Sequence, residues 1–569
     1  MSIPLADYLF TRLRQLGVDS LFGVPGDYNL TLLDHVEPSG LHWVGNANEL
    51  NAGYAADGYA RIKGVGAFVT TFGVGELSAV NAVAGAYAER AAVVHVVGSP
   101  PRRTQEDRLR VHHTFNDGEY GRFARVAEEV TVASARLRDP RTAAEEVDRV
   151  LRECVAQCRP VYLDLPADMV ETLVDAGRLE KRIEVEDLVV GEAQRKVCEK
   201  VLERVRGAKR PVIVVDGETR SLGITEVVEE IVKATGWPTW TTAFGKGLMD
   251  ESIPNFFGVY QGNFGGEDIR TCFNEADLVI SFGTHNSSTN TYAFSSVTKD
   301  AITISLEPTS IILDGQKHRD ISIQKLVKDL LAEVQKSPVA SHPRASELKT
   351  PSSDPPSLPS DGVLHQASLW SALNPLLQPG DIILGETGTA GHGARHFHLP
   401  PHCRMFLPVT WLSIGYMLPA SLGAALAQRD LRASNPDHVG DRTLLFIGDG
   451  SFQMTAQELS TIIREDLNVV VFLLNNDGYT IERCIHGLRE GYNDVARWKY
   501  LLAPTFFGAR EGTWTKRVER WGELKQVVDG AELKDKGLRM VELVLEREDA
   551  PEGPLKVMLG EQQRLAQAK

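Results

Sequence analysis

Positive charge is in short supply in this chain. Lys and Arg total 61 against 76 Asp and Glu, a net charge of −15, and that balance excludes nucleic acid or an anionic membrane surface as a partner, because both select basic patches. Long apolar runs are missing too. None approaches the roughly 18 residues that cross a bilayer, and the N-terminus has no basic region followed by an apolar stretch, so a soluble cytoplasmic protein is expected. Cysteine is scarce: Cys154, Cys158, Cys198, Cys272, Cys403 and Cys484 show no Cys-x-x-Cys spacing, which argues against a structural zinc or a disulfide framework. What the chain does have is 43% hydrophobic residues across 569 positions. That is too much for one core, and about 150 residues per domain suggests three or four. Any anionic ligand of so acidic a chain has to be drawn in by local groups.

Strand, helix, strand is the recurring order. Residues 68–71 lead through Gly73-Val74-Gly75 into an expected helix at 76–90 and a strand at 93–97, while 211–215 and 278–282 read as buried parallel strands followed by turn residues. The stretch 335–362, rich in Pro and Ser, reads as an extended linker. The expected fold is α/β, with three doubly wound parallel-sheet domains at about 1–180, 195–335 and 362–545, a linker at 336–361, and a charged tail at 546–569. No residue-level repeat is visible.

Chemistry concentrates in the last third. Gly448-Asp449-Gly450 closes the apolar run 444–447, and Asn475-Asn476-Asp477-Gly478 closes a second at 469–474, with a helix expected between them at about 453–464. Either motif alone is ordinary turn chemistry, since Gly supplies positive φ and Asp or Asn bonds its own backbone. Together, in a strand-helix-strand unit, they come to adjacent carboxyl ends of parallel strands, where ligands bind in open α/β sheets. Asp449 and Asn476 then offer two oxygens to one Mg²⁺, an ion commonly held by one or two carboxylate-type ligands plus the phosphates it carries.

That spacing resembles the thiamine diphosphate motif, and the likeness extends along nearly the whole chain. Gly23-Val24-Pro25-Gly26-Asp27-Tyr28-Asn29, Asn46-Ala47-Asn48-Glu49-Leu50-Asn51-Ala52, His112-His113, Glu386-Thr387-Gly388-Thr389 and Tyr479-Thr480-Ile481-Glu482 follow in the order of the pyruvate decarboxylase family, fungal branch. Its fold is three domains, for pyrimidine binding, a middle domain, and diphosphate binding. The resemblance implies non-oxidative decarboxylation of a 2-oxo acid, pyruvate or a larger branched or aromatic one, to an aldehyde through a thiamine ylid and an enamine. By the same resemblance Glu49 activates the aminopyrimidine, and Asp27, His112, His113 and Glu482 bind substrate and relay protons. Thr387, Gly388, Thr389, Gly450, Ser451, Thr480 and Ile481 cradle the diphosphate, and Asp449, Asn476 and the Gly478 carbonyl hold Mg²⁺. Ile414, in Trp411-Leu412-Ser413-Ile414-Gly415, wedges between the cofactor rings, where a stiff β-branched side chain is suited, and the Leu412 carbonyl accepts the cofactor amino group. Two subunits complete each site, so a homodimer is the minimum and a homotetramer is expected. A zinc site at the two histidines is disfavoured, because adjacent histidines diverge and no third ligand stands at useful spacing.

Departures bear on substrate. Leu412 replaces the family's usual Gly. Thr289, Gly391 and His392 stand where pyruvate-preferring relatives carry larger or aromatic residues, and with Ile485 they are the candidate substrate pocket, expected to be widened. Asp216-Gly217-Glu218-Thr219 offers no thiol where fungal relatives carry one linked to substrate activation. A carboligase forming acyloins from the same enamine is a second reading. A catalytically silent regulatory homologue is a third, disfavoured because Glu49, Asp449 and Asn476 are all present.

Overall fold

Strands buried on both faces read as near-continuous apolar runs, and three groups of them build three separate sheets in the computed structural model. It describes residues 2–185, 191–337, 339–340, 342–348, 359 and 361–568. The first sheet runs His42–Gly45, Ser20–Gly23, Gly66–Thr71, Val93–Ser99, Val161–Pro166, Ala133–Arg136, all parallel. The third runs Arg404–Phe406, Ile382–Gly385, Thr443–Gly448, Val469–Asn475, Arg539–Val544, Thr515–Val518, again all parallel. The middle sheet, seven strands from Phe256–Val259 to Gln316–Arg319, is parallel except for its last two strands, Ser310–Leu313 and Gln316–Arg319, which turn back antiparallel as hairpins. The all-parallel expectation is corrected at that edge, where short turns such as Asp314-Gly315, both with positive φ, allow a hairpin instead of a helical crossover.

First and third sheets are locked together by two helices, Glu49–Lys63 and Met417–Ser434, buried on almost every side. Their backbones touch at glycine. A Cβ on Gly58 would stand 2.2 Å from Ala420 O, and one on Gly423 would stand 1.9 Å from Ala55 O, so only hydrogen fits at either position. One apolar cluster, including Phe68, Tyr416, Leu445 and Val471, runs through both domains.

Two local expectations change. The helix foreseen at 453–464 begins at Asp449 and is broken: Asp449–Thr455, a 3-10 turn Ala456–Glu458, then Leu459–Arg464. The break serves tertiary partners, for Thr455 Oγ1 donates to Gly415 O (2.6 Å) and the Glu458 carboxylate accepts from Asn46 Nδ2 (2.8 Å). The charged tail is also folded: Pro554–Gln567 is a helix whose Leu555 and Leu559, four residues apart on one face, bury against Cys484. In the linker, the helix Ile323–Lys336 overruns the start and a turn forms at Pro343–Ser346. Its most Pro- and Ser-rich part, 349–358, lies outside the described residues.

Candidate active site

Three neighbouring strands of the third sheet end at Gly385, Gly448 and Asn475. The loops that leave them carry Glu386 to Thr389, Asp449 to Ser451, and Asn476 to Thr480. Each opens a short helix, Thr389–Ala394, Asp449–Thr455 and Thr480–His486, whose first N–H groups have no partner within the helix. One cavity results. It is lined by Thr387, Gly388, Thr389, Ile414, Asp449, Gly450, Ser451, Asn476, Gly478, Thr480, Ile481 and Glu482, together with Gly448 and Tyr479. Every residue read from sequence as a diphosphate or metal ligand is there; Leu412 is not, lying beside it with Tyr54, Trp411 and Ser413.

The donor and acceptor inventory of this cavity is unbalanced in a telling way. The buried Thr387 hydroxyl has no partner. The Asn476 amide gives its Nδ2–H to Thr480 Oγ1 at 2.8 Å, which leaves Oδ1 at 2.9 Å from Gly478 O and 3.1 Å from Asp449 Oδ1. Three oxygens with no hydrogen between them repel. Turning the amide over would relieve this locally, but a cation does so as well and keeps the Thr480 bond: at the Mg–O distance of about 2.1 Å, adjacent oxygens of an octahedron lie about 3.0 Å apart. Burial pushes the Asp449 carboxyl up to about 6, even though Gly478 N and Gly450 N donate to it at 3.0 and 2.8 Å. A buried acid with a raised pKa gains by a cation beside it, which would favour its ionised form. The residues therefore fit a divalent cation with a diphosphate beside it.

The first sheet presents a second group at its own carboxyl ends. Asp27 follows Ser20–Gly23 and Glu49 follows His42–Gly45 as the first residue of its helix. Asp27 Oδ2 lies 2.5 Å from His112 Nε2, and Asp27 Oδ1 lies 3.9 Å from His113 Nε2. Tyr28 stacks on His112 with ring centres 4.9 Å apart. Ligand atoms of Asp27, His112 and His113 all fall within 4.8 Å of one another, so the three residues that the resemblance grouped stand together, although no third ligand was offered to the histidines by sequence spacing. Glu49 is half-buried, with Oε1 3.1 Å from where a Cβ on Gly75 would stand. Neither Glu49 nor the Asp27 group lines the diphosphate cavity of the same chain.

Family models described as thiamine pyrophosphate enzyme N-terminal TPP binding domain, central domain and C-terminal TPP binding domain match residues 3–119, 198–334 and 386–543. A pyruvate decarboxylase of Aspergillus parasiticus is 52% identical over 566 residues, covering 97% of this chain and 96% of the relative. The chain belongs to the pyruvate decarboxylase family of thiamine diphosphate enzymes. A pyruvate decarboxylase of Aspergillus fumigatus is 39% identical, covering 96% and 95%, and isozyme 1 of Saccharomyces cerevisiae is 38% identical, covering 97% of each. In fold the chain is similar to a thiamine diphosphate-dependent 4-hydroxybenzoylformate decarboxylase of Rhodococcus jostii RHA1, with TM-score 0.75 at 17% identity over 95% of this chain and 99% of that one.

The structure bears on the residues read as the candidate substrate pocket. Gly391, read from sequence as part of a widened pocket, stands close to backbone. It sits in the first turn of its helix against the end of the preceding strand, and a Cβ there would meet Glu386 O at 2.7 Å. His392 is pushed well below the usual imidazole range by burial, with Arg395 and His396 adding to the shift. Thr289 is half-buried and Ile485 exposed, and none of these four lines the diphosphate cavity. Glu218, in the 216–219 segment that offers no thiol, pairs with Arg90 (2.8 Å) and His285 (2.8 Å).

Two features escaped sequence reasoning. Glu386 is fully buried, its carboxyl pushed up to about 7 by burial, and it accepts from Thr387 N and Met417 N at 2.8 Å each. It thereby ties the 387–389 turn to the segment bearing Ile414. A charged residue directly after the apolar run 382–385 was the available signal. Leu412 has φ +56°, a left-handed conformation that disfavours any side chain with a Cβ.

Proposed function

We propose that this protein removes carbon dioxide from a 2-oxo acid without oxidation and releases the aldehyde, using thiamine diphosphate and Mg²⁺. The observation that carries the reading is the convergence of Asp449 Oδ1, Asn476 Oδ1 and Gly478 O in a cavity that also holds the unpartnered Thr387 hydroxyl. Asp449, Asn476 and the Gly478 carbonyl would hold the metal. Thr387, Gly388, Thr389, Gly450, Ser451, Thr480 and Ile481 would hold the diphosphate through hydroxyls and N–H groups, with Ile414 and the Leu412 carbonyl setting the rings. Bound there, the cofactor supplies the electron sink for the carbon that loses carbon dioxide.

The chain's own groups manage protons and position. Glu49 would share a proton with a pyrimidine nitrogen. Asp27 and His112, already hydrogen-bonded, and His113 beside them would orient the carboxylate and carbonyl of the substrate and return a proton to carbon, with Glu482 from the diphosphate cavity as a further proton-handling group. Because Glu49 and the Asp27 group lie apart from the cavity of their own chain, a second copy is inferred to complete each site, making a dimer the smallest active unit. Six free cysteines, four of them buried, suit a reducing compartment such as the cytoplasm, and among the described residues no helix is long and apolar enough to cross a membrane.

The test measures carbon dioxide and aldehyde from pyruvate, a branched-chain 2-oxo acid, phenylpyruvate and indolepyruvate. No release from any of them with cofactor bound sinks the proposal, and acyloin as the main product would favour the carboligase. Mixing two inactive variants, Glu49→Gln and Asp449→Ala, should restore part of the activity through hybrid dimers; no recovery despite subunit exchange would mean that each chain is self-sufficient.

A further inference from the structure

Glu76 is a buried acid, 3% exposed, that the proposed mechanism does not use. It stands in the first turn of the helix Val74–Ala88. Its Oε1 accepts the Gly73 N–H at 2.8 Å, and the Tyr162 hydroxyl donates to its Oε2 at 2.8 Å. Tyr162 is itself buried, on the strand Val161–Pro166 of the first sheet, so Glu76 is a strut that fastens the Gly73 turn to that sheet. Taking a carboxyl out of water is costly, and what it gains here is control of the backbone at residue 73.

That turn touches two of the groups proposed to manage protons. Gly73 has φ +70°, and a Cβ there would lie 2.1 Å from His113 O, so its backbone lies directly on the His113 carbonyl. His113 has φ +65°, a left-handed conformation that a residue with a Cβ keeps only where its surroundings enforce it. Two residues on, a Cβ at Gly75 would lie 3.1 Å from Glu49 Oε1. One short turn therefore stands between His113 and Glu49, and glycine at both places lets backbone act as the spacer. Burial pushes the Glu76 carboxyl up to about 8 against the pull of the Gly73 and Tyr162 bonds, with Asp164 adding to the rise and Arg136 opposing it. Near neutral pH it is uncharged, and glutamine is a close mimic.

We propose that Glu76 is a positioning residue of the active site: through Gly73 and Gly75 it sets where His113 and Glu49 stand relative to each other. Its kinetic consequence rests on the decarboxylase reading; its hold on His113 does not.

The test uses the full-length protein loaded with thiamine diphosphate and Mg²⁺, assayed below the unfolding temperature of every variant. Glu76→Ala should lower kcat for the preferred 2-oxo acid at least about 100-fold, since a misplacement of about 1 Å can cost that much. Cofactor affinity should fall less than about fivefold, because the diphosphate and metal ligands lie in the other cavity. Glu76→Gln, whose amide oxygen can keep the Gly73 bond while its NH₂ donates to the Tyr162 oxygen, should retain kcat within about threefold. Tyr162→Phe, which frees only the far end of the strut, should fall between the two. A second readout needs no turnover: amide hydrogen exchange in peptides covering 71–77 and 110–116 should quicken in Glu76→Ala but not in Glu76→Gln, with 386–389 unchanged. If the parent decarboxylates no 2-oxo acid, the decarboxylase reading fails, and the exchange data still decide whether Glu76 holds His113 in place. Glu76→Ala with the parent's kcat would overturn the proposal, even if its unfolding temperature fell, because the carboxyl would then only stabilise the fold. A loss as large in Glu76→Gln as in Glu76→Ala, or unchanged exchange at 110–116, would overturn it too.

Discussion

Adding a single methyl group at Gly391 separates two views of this site. A Cβ at 391 would lie 2.7 Å from Glu386 O, the atom that already accepts the Gly391 N–H at 2.7 Å. Ordinary carbon–oxygen contact begins roughly 0.5 Å further out, and the atom in the way is backbone, so either the helix Thr389–Ala394 lifts or the strand end at Gly385 bends. Overpacking of this kind costs about 1–3 kcal/mol, and weakening the buried N–H···O bond adds about 1 kcal/mol. For a domain of this size the expected fall in Tm is roughly 5–10 °C. The displaced segment is the one that presents Thr387, Gly388 and Thr389, so thiamine diphosphate affinity should drop about tenfold, equivalent to about 1.4 kcal/mol. The assays are thermal unfolding, cofactor titration by fluorescence quenching, and kcat/KM for pyruvate and phenylpyruvate measured at saturating cofactor. Both substrates should lose together, their ratio moving less than about twofold. An unchanged Tm with selective loss of phenylpyruvate would refute the reasoning, because it would mean that the 391 side chain faces substrate and not the strand.

Asp449→Ala should lose Mg²⁺ and thiamine diphosphate together, with cofactor affinity down at least about 100-fold by calorimetry, since it would remove one of the three protein oxygens proposed for the metal; unchanged affinity would unseat the ligand set. Glu89→Gln should destabilise by about 3 kcal/mol in urea unfolding, because Glu89 Oε2 faces buried Arg61 at 3.3 Å while Oε1 gathers the N–H groups of Val409, Thr410 and Trp411; a loss under about 1 kcal/mol would show that Asp57 alone compensates Arg61. Burial pushes the Glu76 carboxyl from 4.5 up to about 8, so between those values the folded chain holds a proton that the unfolded chain has released, and the stability present below about 4.5 is lost as pH rises toward 8. Glu76→Gln should remove that slope, of at most about 1.4 kcal/mol per pH unit, and its advantage over the parent in urea midpoint should grow from pH 5.5 to pH 8; parallel pH profiles would contradict the shift.

What sequence conveyed about this molecule, and what it withheld, follows from the range of the forces involved. A parallel strand buried on both faces must be apolar throughout, so the runs ending at Gly448 and Asn475 announced themselves. Polar residues placed immediately after such runs could only lie along the carboxyl edge of a sheet. The diphosphate cavity was legible for that reason. Features set by a partner far along the chain were not. The break at 456–458 exists because Thr455 and Glu458 reach Gly415 and Asn46, and the contact of Asp27 with His112 was conveyed by the family resemblance and not by any periodicity or spacing. Gly391 shows the sharpest limit. Its lack of a side chain is visible in the sequence, but whether the vacancy faces substrate or backbone depends on where the helix begins relative to the strand that precedes it. That offset is decided by Glu386, whose buried carboxyl holds Thr387 N on one side and Met417 N on the other. The same small residue therefore reads as an open pocket or as a tight contact according to a hydrogen bond five residues away, and the carbonyl oxygen at 2.7 Å favours the tight contact that the Gly391 variant tests.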